Sequence, residues 1–416
     1  MIMASETAER NIVIVGGGII GCTTAYFLTR HPSFNPTEHT ITILEAQSIA
    51  SGASGKAGGL LALWAYPSSI VPLSYKLHAE LAKEHDGAKR WGYRTVHCGS
   101  LSAKGKDYSS DTIANSKING VRDRPGGEDW QKLPKTKTKG VTKNGVPEDL
   151  DWFDADCIKS YSEMGTPSTT AQVHPYLFTT SMADLAVSSG AKVILGSVTA
   201  IDYTGPHGVK SVTYEDKETK HIRTLPATDV ILAAGPWTSH VFPEAPIEAV
   251  RAHSVVVEAD VSPYAVFSEI GLPKGFGGDL KSRHGSTVSP EMYARPDGTV
   301  YACGEADTLA PLPKSSALVE CSPSHCNDII SYVGSISPAL RRGKVLARQA
   351  CYLPSVAGGG GPLIGATGIK GLFMATGHTC WGIQNSCATG KLMSEFVYEG
   401  SAKSARIDAL DPRRFL

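Results

Sequence analysis

The sequence predicts an α/β fold, and three observations near its start carry that prediction. Residues 11–15, NIVIV, form a short apolar run of strand type. Gly16, Gly18 and Gly21 follow as a G-x-G-x-x-G turn into a helix that packs Ala25 and Leu28 on one side. A second strand, residues 40–44, then delivers Glu45, 24 residues after Gly21. Without side chains at Gly16 and Gly18 the backbone turns tightly and lets a pyrophosphate approach, its charge met by free N–H groups at the helix start. Glu45 stands where a carboxylate accepts hydrogen bonds from ribose hydroxyls. Strand, glycines, helix, strand and acid in that order mark a dinucleotide site, while the glycines alone leave open whether FAD or NAD fills it.

The 416 residues suffice for two domains or one interleaved unit with a full core. Forty basic residues against forty acidic ones leave no net charge, which argues against nucleic acid or an anionic membrane as partner. No run approaches the ~18 apolar residues of a membrane span, so a small-molecule ligand is expected. The opening MIMASETAERN reads as a short disordered leader without a cleavage signature. Nine cysteines scattered from Cys22 to Cys387 make no C-x-x-C pair and no disulfide framework, so a reducing, intracellular setting is expected, with the cytoplasm first. The ending DPRRFL is no standard peroxisomal address, and a weak variant of one stays open. Cys321, His325 and Cys326 lack a matching second pair, so no metal site is expected.

After Glu45, the stretch SIASGASGKAGGLLALW places small residues and glycines before an apolar segment, a loop against whose backbone another molecule can lie. Leu73, Leu77 and Leu81 then recur every fourth residue, predicting an amphipathic helix over residues 72–91. Residues 104–148 turn polar, with the basic run KLPKTKTKGVTK, and read as a solvated excursion. A helix is expected after His174-Pro175, followed by strands at residues 192–195 and 198–203 and a buried strand at 230–234 ending in Gly235-Pro236-Trp237. Further strands are expected at residues 251–258, 300–303 and 371–375. Ala388, Leu392 and Phe396 repeat every fourth residue, so a last helix is expected to start near Asn385 and end before Gly400.

Four blocks, VGGGIIG with Glu45, SGASGKAGGLL, VILAAGPWT and MATGHTCWGIQNSCATGKL, together resemble the FAD-dependent oxidoreductases of the D-amino-acid oxidase and glycine/sarcosine oxidase superfamily. Within it, ACYLP followed by GHTCWGIQN is similar to a fungal branch of oxidoreductases whose substrates are poorly defined. The resemblance implies FAD rather than NAD. It also implies a Rossmann-like FAD-binding domain of glutathione-reductase type, interleaved with a mixed-sheet α+β substrate domain. The first would comprise residues 1–95, 166–245 and 340–416, the second residues 96–165 and 246–339. In that frame Gly16, Gly18 and Gly21 would contact the pyrophosphate, with Ile20 beside them, and Glu45 with Ala46 the adenosine ribose. Ser51, Ala53, Ser54, Lys56, Gly58, Gly59 and Leu60 would follow the cofactor toward the flavin, and Val198 would bond the adenine edge through its backbone. Ala234, Gly235 and Trp237 would close over the ADP half, while Gly377, His378, Thr379, Gly382, Ile383 and Gln384 would lie along the flavin's pyrimidine side. Reduced flavin carries negative charge there, and the N-terminus of the last helix would direct its partial positive charge toward it.

In the sarcosine and fructosyl-amino-acid oxidase branch a cysteine carries the flavin covalently, and Cys351, 33 residues before Gln384, stands at a similar separation. That branch holds its substrate's carboxylate with an arginine after the glycine-rich loop and a lysine in the last motif. This chain has Leu60, Leu61 and Ala62 in the first region and Gln384 in the second, with Arg251, Arg283 and Arg295 as substitutes to consider. Trp64, Tyr66 and Trp381 flank both regions and suit either an aromatic wall for substrate or the core. His174 and His378 are expected to hydrogen-bond structurally or line the flavin, since amine oxidation needs a deprotonated nitrogen and a directed hydride rather than a strong base. The function expected is FAD-dependent oxidation of a secondary amine or amino-acid-like substrate by hydride transfer to flavin N5, giving an imine and, with molecular oxygen, hydrogen peroxide. The alternatives are an FAD dehydrogenase using another acceptor and a non-catalytic flavin-stabilised interaction protein, for instance in membrane traffic.

Overall fold

The computed structural model describes residues 9–108, 145–204, 208–277 and 286–416, so most of the polar excursion lies outside the described residues. One sheet has eight strands in the order Ile222–Pro226, Val209–Asp216, Lys192–Tyr203, His39–Glu45, Arg10–Val15, Asp229–Leu232, Leu372–Thr376 and Leu363–Ala366. The strands from Lys192–Tyr203 to Leu372–Thr376 pair in parallel. Both faces of the central strand are covered, which is why NIVIV is continuously apolar rather than alternating. Ile12 and Ile14 enter the core beneath the helices, whereas Val13 and Val15 enter a second core with Val212, Tyr214 and Phe242.

The helices over the first face are Ile19–Leu28, Val71–Glu84, Pro175–Val187 and Gly382–Glu399. Ile19–Leu28 is buried on almost every side, as its nearly unbroken apolar and small composition requires. Against it lies Gly382–Glu399, where a Cβ on Gly390 would stand 2.6 Å from the Thr23 backbone. Glycine therefore lets the two helix backbones touch, and the Thr23 hydroxyl locks them by donating to the Ser386 carbonyl at 3.0 Å. This contact sets where the N-terminus of the last helix points.

The second sheet runs Val345–Val356, Ile247–Glu258, Thr299–Asp307, Glu291–Ala294, Tyr264–Gly271, His97–Lys104, Ile158–Gly165, with Thr287–Val288 added beside Tyr264–Gly271. Its outer face packs Val255, Val266, Met292 and Ala302 against the helix Pro323–Gly334. Its inner face turns Ala265, Tyr293, Tyr301 and Phe267 toward Leu60 of the glycine-rich segment. A three-stranded sheet of Leu60–Ala62, Thr170–Gln172 and Arg94–Thr95 fills the seam.

Several expectations are corrected. The helix expected over residues 72–91 is two, Val71–Glu84 and Gly87–Trp91, because Asp86 takes a left-handed φ of 53° between them. Residues 192–195 and 198–203 belong to one strand, Lys192–Tyr203, whose pairing with Val209–Asp216 absorbs an irregularity after Val198. The last helix begins at Gly382 rather than near Asn385, since the short turn Thr379–Trp381 leads straight into it. Val345–Val356 pairs along Ile247–Glu258 in the second sheet, so we propose a domain boundary nearer residue 357 than 340.

Candidate active site

A cleft of about 1280 Å³, open mouth included, runs along the carboxyl ends of the parallel strands, where Val15, Leu44 and Ala233 end. It lies at the point where strand order reverses about Arg10–Val15, the usual ligand position in such sheets. The glycine turn forms its floor. Gly16 has φ +112°, and a Cβ there would stand 2.5 Å from the Ala233 carbonyl oxygen, so the turn admits no side chain. Gly18 is the N-cap of the first helix and offers no side-chain cap, which leaves N–H groups of the first turn facing the cleft. One of them, Ile19 N–H, is held by the Ser54 hydroxyl at 2.9 Å. Gly21 lies behind the lining, where a Cβ would strike the Gly16 carbonyl at 2.0 Å; its role is to seat the helix on the turn.

Glu45 lines the cleft beside Ala46, but its carboxylate already braces the turn. Oε2 accepts from Gly17 N–H at 2.7 Å and Oε1 from Gln47 N–H at 2.8 Å. The Ser51 hydroxyl also reaches Oε1, at 3.4 Å, whereas Oε2 has the single donor Gly17 N–H and keeps a lone pair that can accept a sugar hydroxyl. Gly17, which the motif reading passed over, is thus the residue that orients the acid. Ser51, Ala53 and Ser54 border the same cleft, as do Ile20, Val198, Ala234, Gly235 and Trp237. The roof was not legible in the sequence: residues 314–316 come from the second sheet's side, with the Trp237 indole donating to Pro313 O at 2.6 Å and Ser51 bonded to Ser316 at 2.8 Å.

At the far end, His378, Thr379, Gly382 and Ile383 line the cleft. The helix Gly382–Glu399 has no side-chain cap and no acid in its first turn, so its partial positive charge is uncompensated. Thr379 is held at φ +51°, a strained conformation for a β-branched residue and one that recurs at ligand sites. Burial pushes the His378 imidazole down to about 3, so the ring is neutral. Its Nε2 lies 2.9 Å from the Thr389 hydroxyl, which itself donates to the Asn385 carbonyl. Thr389 therefore accepts, Nε2 holds the proton, and Nδ1 is left as a buried lone pair without a partner among the described residues.

Other expected site residues stand behind this lining. Gln384 is fully buried; its Oε1 accepts Ala62 N–H at 2.7 Å, tying the last helix to the glycine-rich segment. Gly58 and Gly59 are packing positions, where a Cβ would meet the Tyr293 ring at 2.1 Å and the Val173 carbonyl at 2.0 Å. Leu60 joins the core beneath Tyr293 and Tyr301, and Gly377 fits against Val356. The Lys56 ammonium donates to Ala350 O at 2.9 Å, across the two sheets. Cys351, on Val345–Val356, is buried, and burial pushes its thiol up to about 11 although Lys56 pulls the other way. Arg251 is no free carboxylate anchor, because Asp307 pairs with it at 3.1 Å; Arg295 is buried and donates to Ala57 O at 2.9 Å. Arg283 lies outside the described residues. His174 caps Pro175–Val187 by accepting Leu177 N–H, a structural role. Among the described residues no cluster of three or more His, Cys, Asp or Glu is placed to hold a metal, and no helix is long and apolar enough to cross a membrane.

A glycine turn that excludes Cβ atoms, a helix start at each end whose own N-cap residue supplies no side-chain cap, and an acid in the lining between them suit a long dinucleotide. The comparisons agree. The chain is 36% identical to "Putative oxidoreductase TDA3" of Saccharomyces cerevisiae, covering 99% of this chain and 96% of that protein. Its fold superposes on glycine oxidase from Geobacillus kaustophilus with TM-score 0.69 at 19% identity, over 99% of this chain and 100% of that one. The L-proline dehydrogenase of P. horikoshii gives TM-score 0.68 at 18% identity, over 98% of each chain. The family model described as FAD dependent oxidoreductase (DAO) matches residues 11–396, so the chain belongs to that family and is an FAD-dependent oxidoreductase.

Proposed function

We propose that the enzyme removes hydride from a carbon bonded to nitrogen in a secondary amine or amino-acid-like substrate, giving an imine that water hydrolyses, with molecular oxygen as acceptor and hydrogen peroxide as second product. The observation that carries the reading is the uncapped N-terminus of Gly382–Glu399 facing the end of the cleft beside Trp64, Tyr66 and Trp381. Bound FAD would supply the hydride acceptor and carry negative charge once reduced. The residues of the chain do the rest. The first-turn N–H groups of the last helix stabilise that charge, by about 0.3–1 kcal/mol at an exposed terminus and more in a partly buried one. Neutral His378 can accept a hydrogen bond at Nδ1 without placing a competing cation there. Trp64 and Trp381 are in edge contact at 5.4 Å beside the cleft's far end, where they offer apolar surface to a substrate. The names of the two solved enzymes that share this fold, for glycine and for L-proline, support the substrate class.

The same comparison favours a second reading, a dehydrogenase that passes electrons to an acceptor other than oxygen. A panel of amines and amino acids added anaerobically tests the first step: loss of the flavin's visible band with at least one of them is the expected result. No bleaching by any would leave a flavin-stabilised protein without turnover. Peroxide formed in step with substrate during aerobic turnover separates oxidase from dehydrogenase.

A further inference from the structure

The inner face of the second sheet carries a feature that the cofactor cleft does not use. Residues 291 and 293 point to that face, since side chains alternate along a strand, and their neighbours across the ladder are Phe267 and Cys303 for Glu291 and Tyr301 for Tyr293. Aromatic rings then run without a gap from the surface inward. Tyr66 meets Trp381 at 5.9 Å, Trp381 meets Trp64 at 5.4 Å, and Trp64 meets Phe267 at 5.8 Å. Phe267 meets Tyr293 at 6.0 Å, and Tyr293 stacks on Tyr301 at 5.9 Å. Into this wall projects the partly buried carboxylate of Glu291. Its Oε2 accepts from the Tyr293 hydroxyl and from the Cys303 thiol, the latter at 3.9 Å, while Oε1 accepts nothing from the described residues.

Glu291 does not itself line the cleft; the wall reaches the cleft's far end through Phe267, Trp64 and Trp381, the last standing between the lining residues Cys380 and Gly382. The Glu291 charge acts on the thiol of Cys380, which lines the cleft's far end next to Trp381. The cations nearby donate to neutral acceptors within the fold, and Arg295 Nε is buried with no partner among the described residues. Arg295 donates to Ala57 O and lies 5.2 Å over Tyr301, Lys56 donates to Ala350 O, and Arg94 donates to Gln172 and to Ala294 O. The wall therefore presents π faces and one carboxylate oxygen, which attract an organic cation, while none of Arg295, Lys56 and Arg94 stands in the cleft lining to meet a substrate carboxylate.

We infer that Glu291 and the aromatic wall select a protonated amine without an α-carboxylate, with Glu291 Oε1 accepting from the substrate's N–H. This rests on the proposed amine oxidation and narrows it: the substrate is a cationic amine rather than a zwitterionic amino acid. Burial raises the Glu291 carboxyl above its ordinary range and the two donors at Oε2 oppose that, so a bound cation offsets the desolvation the fold imposes.

Three compounds with one phenyl ring separate the charges: benzylamine, benzyl alcohol and phenylglycine. Binding to the oxidised, flavin-loaded protein is read anaerobically by calorimetry, with the visible spectrum followed in parallel. For any compound that bleaches the flavin, the concentration dependence of bleaching gives the affinity. The expected result is benzylamine binding about tenfold or more tighter than both others, a preference that Glu291→Gln removes and Glu291→Asp partly keeps. Phenylglycine binding as tightly as benzylamine to the unaltered protein overturns the inference, whatever the variants do. An undiminished benzylamine preference in a folded, flavin-loaded Glu291→Gln protein overturns it as well. Bleaching by phenylglycine together with weak benzylamine binding would sink the cation site and leave amine oxidation standing. Tight, Glu291-dependent benzylamine binding with no bleaching by any amine would do the reverse.

Discussion

Replacing Gly16 by alanine tests the claim that the glycine turn is shaped by what it must hold. Two costs are separable. The first is backbone strain: at φ +112° an L side chain is unfavourable, by about 1–3 kcal/mol. The second is crowding, because the new Cβ would stand 2.5 Å from Ala233 O and 2.9 Å from its carbon, both backbone atoms that cannot rotate away. Overpacking of this kind costs about 1–3 kcal/mol. Gly368→Ala is the control, since Gly368 has φ +98° and a Cβ added there would meet nothing within 4 Å. Both variants carry the strain, and only Gly16→Ala carries the clash. In the flavin-free protein the turn can shift to relieve the clash, but FAD requires the turn in place, so binding reinstates the cost. FAD affinity should therefore fall by about 5- to 150-fold for Gly16→Ala, as 1–3 kcal/mol implies, and stay within about twofold for Gly368→Ala. Quenching of flavin fluorescence on titration into the stripped protein measures both. Equal FAD affinities for the two variants would refute the reasoning.

Other outcomes follow from the buried groups. With the Cys351 thiol pushed up to about 11, the thiolate needed for a flavin linkage is disfavoured, so acid precipitation should leave a yellow supernatant, and Cys351→Ser should keep its full flavin content. A coloured pellet lost in that variant would show a covalent bond. Burial lowers His78 to about 4 and His378 to about 3, below the ordinary histidine value, so acid favours an unfolded chain that binds protons the folded chain refuses. Their contribution is complete above about pH 6.5 and is lost as pH falls toward the folded values, by up to about 1.4 kcal/mol per unit for each. Urea midpoints between about pH 7 and 5 should drop, with a shallower slope for His378→Gln; an unchanged slope would contradict the neutral, buried ring. Gln384→Leu leaves the Ala62 N–H without its acceptor, which should destabilise the fold by about 1–3 kcal/mol in urea unfolding. A midpoint like the parent's would mean that another group satisfies that N–H.

Much of the nucleotide half was legible because its constraints are local. Gly16 needs a positive φ and Gly21 a contact with the Gly16 carbonyl five residues earlier, so both leave a mark in consecutive residues. Element ends were less legible. Asp86 at φ 53° breaks one predicted helix in two, and the turn Thr379–Trp381 starts the last helix earlier than its apolar repeat suggests. A repeat reports which face is buried, not where the backbone first closes a turn.

By itself the sequence determined the order of strand, glycines, helix and acid, because φ, helix period and strand alternation are properties of neighbouring residues. Only the tertiary structure decided which charges are spent and which are open. Arg251 meets Asp307 across 56 positions, Arg295 meets Ala57 across 238, and Glu291 meets Phe267 and Cys303 only because three strands align. A side chain's partner follows from strand register and sheet packing over distances at which the chain carries no local periodic signal, so the ligand-facing chemistry emerges only once the sheets have closed on one another.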